Sequence, residues 1–327
     1  MSKEGSWMMA QNDLIVVGID VAKDKVDACI RSLSLRLTSA NAEPGWRQLI
    51  GWLREHGVGR AVMEASGGYE RGLARALRQA GIEAWIVDPK LVRNFARSAR
   101  RLAKNDAIDA EMICWFAETF DQAPSQPHDA VREELQKLVR ARQGLLDFQT
   151  RVQNQNEHEV PMLVQKMHAR MLKKVASEIL KLEAAIGTMI KATPRFAELA
   201  EIIESVPGLA RTTAANLIAG MPELGRVSNK VAPALLGAAP YDDDSGRRRS
   251  HRHIKGGRRK VRNAFYMPCL GAATQHNPVI KEFYQRLLAK GKEKKVAIMA
   301  CMRKLIVILN TMIARGEKWD VSRFALS

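Results

Sequence analysis

The sequence has few cysteines, and they form no metal-binding or redox pair. Cys29, Cys114, Cys269 and Cys301 are widely separated, and no two of them make a C-x-x-C motif. Their spacing suits neither a zinc site nor a disulfide framework, so we expect reduced thiols in an intracellular setting. The segment MSKEGSWMMAQND at the start has no apolar signal core. These features predict a cytoplasmic protein.

The sequence also has no uninterrupted apolar run long enough to cross a membrane, and no nucleotide-binding loop. The most apolar late stretch, VAIMACMRKLIVIL, is broken by Arg303 and Lys304. A G-x-x-x-x-G-K motif is absent, as are internal repeats and low-complexity tracts. We therefore expect neither a membrane partner nor direct use of ATP.

Acidic residues are outnumbered by basic ones. The chain has 327 residues, with 52 Lys and Arg against 35 Asp and Glu, and its net charge is +17. This balance indicates a polyanionic partner, with nucleic acid the first candidate. One segment, GAAPYDDDSGRRRSHRHIKGGRRKVR, places three aspartates before Ser245 and nine cations after it. We predict that these nine contact nucleic-acid phosphates: Arg247, Arg248, Arg249, Arg252, Lys255, Arg258, Arg259, Lys260 and Arg262.

The first 122 residues have the pattern of an α/β domain. LIVVGID reads as a buried strand, KVDACIRSL as its hairpin partner, and residues 35–38 as a third short strand. RAVMEAS and EAWIVDP are further strands, and each follows a helical pattern that ends in glycine. A hairpin followed by crossover helices indicates a mixed sheet. QAPSQPH then reads as a linker.

The rest of the chain has helical periodicity. Residues 123–192 predict two long helices, divided near Pro161, that form a coiled-coil arm. The apolar stripe of the second helix is compatible with an internal hairpin or with self-association, and it comprises Val164, Met167, Met171, Val175, Ile179, Leu182, Ile186 and Met189. Residues 193–327 predict a helical domain with one irregular loop, which contains Ser245.

Four carboxylates occupy positions that suit a metal site. Asp20 ends the first strand, Glu64 ends a later strand, and Asp106 and Asp109 lie three apart at the start of a helix. Such groups can converge on Mg²⁺, which prefers hard oxygen ligands and suits phosphate chemistry. Each acid taken singly is also compatible with a structural role, such as a favourable interaction with the helix dipole. We interpret two other acids near strand ends as solvated: Asp24 and Asp27.

The SVPGLA turn and Ser245 can each be interpreted in two ways, as structural features or as functional ones. SVPGLA resembles the turn of a helix-hairpin-helix, in which N–H groups around Gly208 would meet a phosphate, but it also suits an ordinary turn between helices. Ser245 suits a turn, because Asp, Ser and Gly are common turn residues. Among so many arginines it also suits a nucleophile that attacks a phosphodiester.

Together these motifs resemble the DEDD transposases of bacterial insertion sequences, the insertion-sequence one-ten family, whose relatives include recombinases that invert pilin genes. GIDVAKDKVD, MEASGGYE and AKNDAIDAEMI resemble the motifs that carry the four acids. SVPGLARTTA resembles the family's hairpin, and YDDDSG with IKGGRRKVRNAFYM resembles its serine motif. The C-terminal helical segment, HNPVIKEFYQRLLAKGKEKKVAIMACMRKL, is similar as well.

The resemblance implies an α/β plus α architecture: a RuvC-like ribonuclease H-fold domain over 1–122, a coiled-coil arm over 123–192 and a mostly helical transposase domain over 193–327. It implies Mg²⁺ at Asp20, Glu64, Asp106 and Asp109, and Ser245 as the nucleophile. It also implies donor and target DNA as partners, a structured non-coding bridge RNA as guide, and a homo-oligomer between dimer and tetramer.

Two other functions remain compatible with the sequence. A metal-dependent nuclease or resolvase of the RuvC type would use only the four carboxylates, without a covalent intermediate. A non-catalytic nucleic-acid scaffold would need neither the carboxylates nor the serine. Residues 237–262, which we call the serine segment, and the predicted domain over 193–327 argue against a simple resolvase. Loss of function on changing Asp20 or Glu64 would argue against a scaffold.

Overall fold

The computed structural model describes residues 14–101, 106–120, 129–157, 159–241 and 253–324, with residues 106–108 and 324 described by their backbone alone. The chain divides into two compact units, Met1–His128 and Asp129–Ser327. The predicted combination of an α/β sheet with mostly helical structure is confirmed, whereas the predicted domain boundaries stay a prediction. The further division of the second unit into an arm and a domain stays a prediction.

The first unit contains a five-stranded mixed sheet in the order β3-β2-β1-β4-β5. β1 is antiparallel to β2 and parallel to β4, and β5 is parallel to β4. The strands are β1 (Ile15–Val21), β2 (Lys25–Ile30), β3 (Leu35–Ala40), β4 (Val58–Glu64) and β5 (Glu83–Val87). All five correspond to strands that the sequence predicts, with end points that differ by at most three residues.

Helices cover both faces of this sheet: α1 (Glu43–Glu55), α2 (Glu70–Gln79), α3 (Pro89–Ser98) and α4 (Asp106–Thr119). The apolar side chains of α1 and α2 pack in one cluster with Val17, Ile19 and Val21 of β1. Those of α3 and α4 pack in a second cluster with Val16. Because successive side chains of a strand point to opposite faces, this division assigns each residue of β1 to a face.

A glycine lets α4 lie directly on the backbone of β1. A Cβ atom added to Gly18 would be 2.2 Å from the carbonyl oxygen of Ala110 and 2.3 Å from the nitrogen of Cys114. The thiol of Cys114 also donates a hydrogen bond to the carbonyl oxygen of Val16, at 3.3 Å. Any side chain at Gly18 would push the helix away from the sheet.

The second unit is almost entirely helical. Its helices are α5 (Ala130–Gln155), α6 (Met162–Ala192), α7 (Pro194–Glu204), α8 (Arg211–Gly220), α9 (Val231–Leu236), α10 (Arg259–Gly271), α11 (Pro278–Ala289), α12 (Lys294–Arg315) and α13 (Val321–Phe324). By length and composition α12 could cross a membrane, but 56% of its most apolar stretch is buried inside the protein. Its buried residues, among them Leu305 and Leu309, belong to the core of this unit.

Helices α5 and α6 form an antiparallel hairpin. Arg142 forms a salt bridge with Glu183, and near the connecting loop Nδ1 of His168 lies 2.5 Å from the side-chain oxygen of Asn156. At the opposite end Leu135 shares the core with Ile190. The chain therefore makes an internal hairpin, whereas self-association of this segment stays a prediction.

The predicted apolar stripe on α6 holds for part of the helix. Ile179 and Ile186 are buried, but Met167 and Met171 are 43% and 38% exposed. His168 occupies a buried position in that part of the helix instead. Its hydrogen bond to Asn156 satisfies a polar ring there, which apolar periodicity does not detect.

Two small elements of the second unit were not predicted. β6 (Pro240–Tyr241) and β7 (His253–Ile254) pair as an antiparallel ladder, and Ala272–His276 forms a π-helical turn after α10. Strands of two residues show no alternation, and a π turn adds no distinctive spacing. Neither therefore leaves a periodic signal in the sequence.

Gly18 and Gly51 allow a test of the contact between β1 and α4. Gly18→Ala should lower the free energy of unfolding by about 1–3 kcal/mol, because its methyl group has no space. Gly51→Ala should raise it by about 0.5–1 kcal/mol, since Gly51 lies in α1 with nothing within 4 Å of an added Cβ. Urea unfolding measures both variants, and equal stability of the two would contradict the close contact.

Candidate functional site

Asp20 and Glu64 lie side by side at the carboxyl end of the sheet. β1 and β4 are parallel neighbours, and their register pairs Ile19 with Met63. Asp20 follows Ile19, and Glu64 follows Met63 as the last residue of β4. The two carboxylates therefore occupy adjacent positions on adjacent strands, as the strand-end pattern in the sequence predicts.

Both acids point to the face of the sheet that α4 covers. Ile19 and Met63 pack in the cluster formed with α1 and α2, on the opposite face. Val62, two residues before Glu64, packs in the cluster with α4. By the two-residue period of a strand, Asp20 and Glu64 share the face of Val62.

The direction of α4 brings its amino-terminal turn to the same end of the sheet. Along β1, Ala110 and Cys114 lie against Gly18, and Cys114 also contacts Val16. The helix therefore runs antiparallel to the strand, so that residues before Ala110 lie towards Asp20. This arrangement places Asp109, and the backbone of Asp106, at the end of β1 that carries Asp20.

Sequence reasoning interpreted Asp27 as a solvated residue, but the structure places it opposite Asp20. The antiparallel register of β1 and β2 pairs Asp20 with Asp27, and directly opposed residues point to the same face. The carboxylate of Asp27 lies 3.1 Å from Nζ of Lys25 and accepts a hydrogen bond from Oγ1 of Thr38 at 2.5 Å. Asp27 is thus a half-buried neighbour of the candidate site, and the hairpin register was the signal that would have found it.

The donor chemistry of the site fits a divalent cation. Asp20, Glu64 and Asp109 supply carboxylate oxygens, the ligands that Mg²⁺ prefers, and α4 adds the positive end of its dipole beside them. Among the side chains that the structure describes, no three acid, histidine or cysteine groups are close enough to hold a metal ion. The side chain of Asp106 lies outside that set.

A buried carboxylate organises the loop that follows Glu64. Glu70, 4% exposed, accepts hydrogen bonds from N–H and Oγ of Ser66 and from N–H of Gly68. Burial alone would raise the pKa of Glu70, but its own N–H and those of Gly68 and Ser66, with the Ser66 hydroxyl, hold that pKa below its usual value. The loop also needs glycine at Gly67 and Gly68, where φ is 78° and 119°. The ionised Glu70 therefore fixes the backbone just beyond Glu64.

A second polar network joins that loop to the one after Asp20. Nδ2 of Asn41 donates to the carbonyl oxygens of Ala22, at 2.8 Å, and Tyr69, at 3.3 Å. Oδ1 of Asn41 accepts from Nε1 of Trp46 at 2.8 Å, which orients the amide. Because Ala22 follows Asp20 and Tyr69 follows Glu64, one side chain ties both loops together. Sequence reasoning did not single out Asn41.

Ser245 lies in a segment outside the described residues, but both ends of that segment are well defined. Tyr241 and His253 are paired in the β6–β7 ladder. At the base of the ladder a Cβ on Gly257 would be 2.4 Å from Cα of Gly237, so the backbones of the two glycines are in direct contact. We refer to residues 237–241 and 253–257 as the stem.

Two arginines that are predicted to bind phosphate have hydrogen-bond partners within the protein, and one of them holds this stem. Nη1 of Arg262 donates to the carbonyl oxygens of Gly237, at 3.1 Å, and Gly256, at 3.0 Å. Arg262 therefore connects the two halves of the stem. Arg258 forms a two-point salt bridge with Glu223 and donates to the carbonyl oxygen of Gly220 at 3.0 Å. Burial would raise the pKa of Glu223, but Arg258 holds it below its usual value. Their contact with phosphate stays a prediction, and a structural role now stands beside it.

The remaining cations of the basic segment divide into two groups. Lys255, Arg259 and Lys260 are exposed, so their side chains are accessible to a ligand. The other four precede β7 and lie outside the described residues: Arg247, Arg248, Arg249 and Arg252.

The turn between α7 and α8 depends on Gly208. Its φ is 93°, and a Cβ there would lie 2.9 Å from Cα of Ala272 in the π-helical turn. The turn is half-buried, between the buried residues Val206 and Leu209. Close packing therefore explains this glycine, and its predicted phosphate contact stays a prediction.

Comparison with known proteins finds matches to two family models. Residues 17–161 match a model described as a DEDD transposase of the IS110 type, and residues 200–285 match the transposase IS116/IS110/IS902 family. The first match spans the acidic site, and the second begins in α7 and spans the serine segment and α10.

Similar proteins include the pilin gene-inverting proteins of Moraxella bovis and Moraxella lacunata. Each is 25% identical over 317 residues, which cover 93% of this chain and 97% of the relative. An uncharacterized insertion element IS110 protein of Streptomyces coelicolor is 26% identical over 227 residues, 65% of this chain and 54% of the relative.

Matches in both units and similarity along nearly the whole chain define a transposase or DNA recombinase, an enzyme that rearranges DNA. The chain belongs to the IS110 family of transposases. The resemblance recognised from the sequence motifs is thereby confirmed.

Substitutions at Arg262 and Arg259 distinguish an arginine that holds the stem from one whose side chain is free to bind phosphate. Arg262→Ala removes both hydrogen bonds across the stem, which should speed amide hydrogen exchange of its residues about tenfold. Arg259→Ala should leave that exchange unchanged, because the side chain of Arg259 is exposed and at the start of α10. Hydrogen exchange read by mass spectrometry measures both, and an unchanged stem in Arg262→Ala would contradict its structural role.

Proposed function

We propose that the protein is the DNA recombinase of an insertion sequence, and that it cuts and rejoins strands through Ser245 and an Mg²⁺-binding acidic site. The observation that carries this proposal is the register that sets Asp20 beside Glu64 at the amino-terminal end of α4. Similarity to proteins named for pilin gene inversion supports an activity on DNA.

The first unit, in this proposal, has a RuvC-like ribonuclease H fold. The mixed order β3-β2-β1-β4-β5, with β2 antiparallel and the acids on β1, β4 and α4, supports this assignment. The rest of the chain, in this proposal, comprises a coiled-coil arm over 123–192 and a transposase domain over 193–327. The α5–α6 hairpin supports the arm, although its inner end shares the core of the unit.

Mg²⁺ would be held by Asp20, Glu64, Asp106 and Asp109. The bound ion supplies positive charge that stabilises phosphate oxygens during strand transfer. The protein's own part is to keep the carboxylates in place. Asn41 and Glu70 do this by fixing the loops that follow Asp20 and Glu64.

Ser245 would attack a DNA phosphorus atom through Oγ. A bond forms between Oγ and phosphorus, and the bond from phosphorus to the leaving DNA oxygen breaks. The serine proton passes to solvent or a base, and the leaving oxygen gains a proton to become a hydroxyl. A later attack by another DNA hydroxyl reverses the step on a new strand and restores the serine. The phosphodiester energy is conserved, which agrees with the absence of an ATP-binding loop.

The partners in this proposal are donor DNA, target DNA and a structured non-coding guide RNA. A net charge of +17 supports polyanion binding but does not distinguish DNA from RNA. The protein acts in the bacterial cytoplasm as a dimer to tetramer, in which the acidic site and the serine of one active centre come from different subunits. A RuvC-type resolvase without a covalent intermediate is the alternative, and the acidic site alone would favour it.

The acidic site predicts that each of Asp20→Asn, Glu64→Gln, Asp106→Asn and Asp109→Asn sharply reduces DNA cleavage. Binding of nucleic acid should change little, because each variant lowers negative charge. Folding should survive, since the variants relieve repulsion among neighbouring acids. Cleavage of labelled DNA in Mg²⁺ is the measurement.

Asp24→Asn is the matched control for these variants. Asp24 is exposed in the turn between β1 and β2 and carries the same charge as the site acids. The Asp24→Asn variant should therefore cleave DNA normally. Normal cleavage by any two of the four site variants would disprove a shared metal site.

Ser245→Ala should abolish covalent protein–DNA adducts and recombination while retaining nucleic-acid binding, because the neighbouring arginines remain. A denaturing gel of protein incubated with labelled DNA and Mg²⁺ detects the adduct. Ser250→Ala, in the same segment, is the control and should form adducts normally. An adduct that persists in Ser245→Ala would refute the nucleophile, and cleavage without any adduct in the unaltered protein would favour the resolvase.

A further inference from the structure

Helices α11 and α12 and their connecting loop carry a dense positive charge outside the serine segment. Between residues 281 and 304 there are eight cations and two acids, Glu282 and Glu293. The cations are Lys281, Arg286, Lys290, Lys292, Lys294, Lys295, Arg303 and Lys304. We call this set the α11–α12 surface. All of these cations except Lys304 are exposed.

Within the part of the chain that the structure describes, the exposed cations of this surface lack acidic partners. Among the residues that the structure describes, none of these seven forms a salt bridge. Elsewhere in the same unit surface lysines are paired: Glu178 binds both Lys174 and Lys181, each at 3.0 Å. Glu134 likewise binds Lys137 at 3.1 Å. The seven exposed cations of the α11–α12 surface therefore differ from Lys137, Lys174 and Lys181, whose charges are compensated by glutamates.

Two cations of the surface converge on one aromatic ring. The guanidinium carbon of Arg286 lies 5.3 Å and Nζ of Lys304 lies 4.9 Å from the centroid of Phe283. Burial and then Arg286 lower the pKa of Lys304, while Glu282 opposes this change. Two helices therefore hold like charges together, and the ring between them is half-buried beneath the cations.

The position of two lysines adds to the repulsion. Lys294 and Lys295 lie in the first turn of α12, where the helix dipole disfavours positive charge and acids are preferred. The first turn of α12 contains no acid. Concentrated like charge of this kind lowers stability, and a bound polyanion would relieve the repulsion.

We propose that the α11–α12 surface binds the phosphodiester backbone of duplex DNA, independently of base sequence. The proposal rests on the proposed function, since it adds a second DNA contact to a DNA recombinase. Lysine heads on the exposed face of a rigid helix suit phosphates, which set the position of a duplex without reading its bases. Single strands are less suitable, because they need exposed aromatic rings for stacking and Phe283 is covered.

The test replaces three exposed cations at the helix–helix turn, as Lys290→Gln, Lys292→Gln and Lys294→Gln combined. Binding of the full chain to duplex DNA of random sequence is measured in EDTA, between about 50 and 200 mM salt. If all three contact phosphate, the slope of log affinity against log salt should become shallower by about 2.7. The matched control, Lys137→Gln, Lys174→Gln and Lys181→Gln combined, removes the same charge from lysines that have partners and should leave the slope unchanged.

Three results would overturn the proposal. One is an unchanged slope in the surface variant, and another is an equal change in the control, which would show a general effect of net charge. The third is lost binding of a structured RNA with unchanged binding of duplex DNA. Because EDTA prevents Mg²⁺-dependent chemistry, these results are independent of the proposed function. Recombination by the surface variant at low salt with an unchanged slope would reject this surface and leave the proposed function standing.

Discussion

The contact between the backbone of β1 and the backbone of α4 at Gly18 determines the geometry of the acidic site. Without a side chain at Gly18, α4 packs directly on the strand and runs antiparallel to it. That direction brings its amino-terminal turn, with Asp109, to the strand end that carries Asp20. The same contact leaves one face of the sheet for apolar packing against α1 and α2 and reserves the end of the other for polar groups.

Polar networks then hold the loops that this packing leaves exposed. Asn41 joins the loops after β1 and β4, and Glu70 closes the second of them through three hydrogen bonds. In the second unit, Arg262 has the corresponding role at the stem of the serine segment. In each case a charged or amide side chain satisfies backbone groups of a segment that leads to a candidate catalytic residue. Loops beside a reactive site need such support because they lack ladder hydrogen bonds of their own.

Arg258 and Arg262 show why a basic run cannot be divided into structural and ligand-binding residues from sequence. Both are among nine cations of one basic segment, and nothing in the sequence distinguishes them from their neighbours. Their side chains nevertheless bind Glu223, Gly237 and Gly256. Two of those partners, Glu223 and Gly237, are distant in sequence from the arginine that each one binds. The α11–α12 surface shows the reverse, because Arg286 and Lys304, on two different helices, meet at the ring of Phe283 only after folding.

Periodicity and local turn signals in the sequence were sufficient to determine the strands of the sheet and most helices, because secondary structure depends on near neighbours. The same signals placed four acids at the ends of these elements: Asp20, Glu64, Asp106 and Asp109. Motif resemblance identified the family. Only the tertiary structure decided the register that pairs Asp20 with Asp27 and sets it beside Glu64, and the close approach permitted by Gly18. Register and packing arise from contacts between residues far apart in the chain, and these leave no periodic trace in a single sequence.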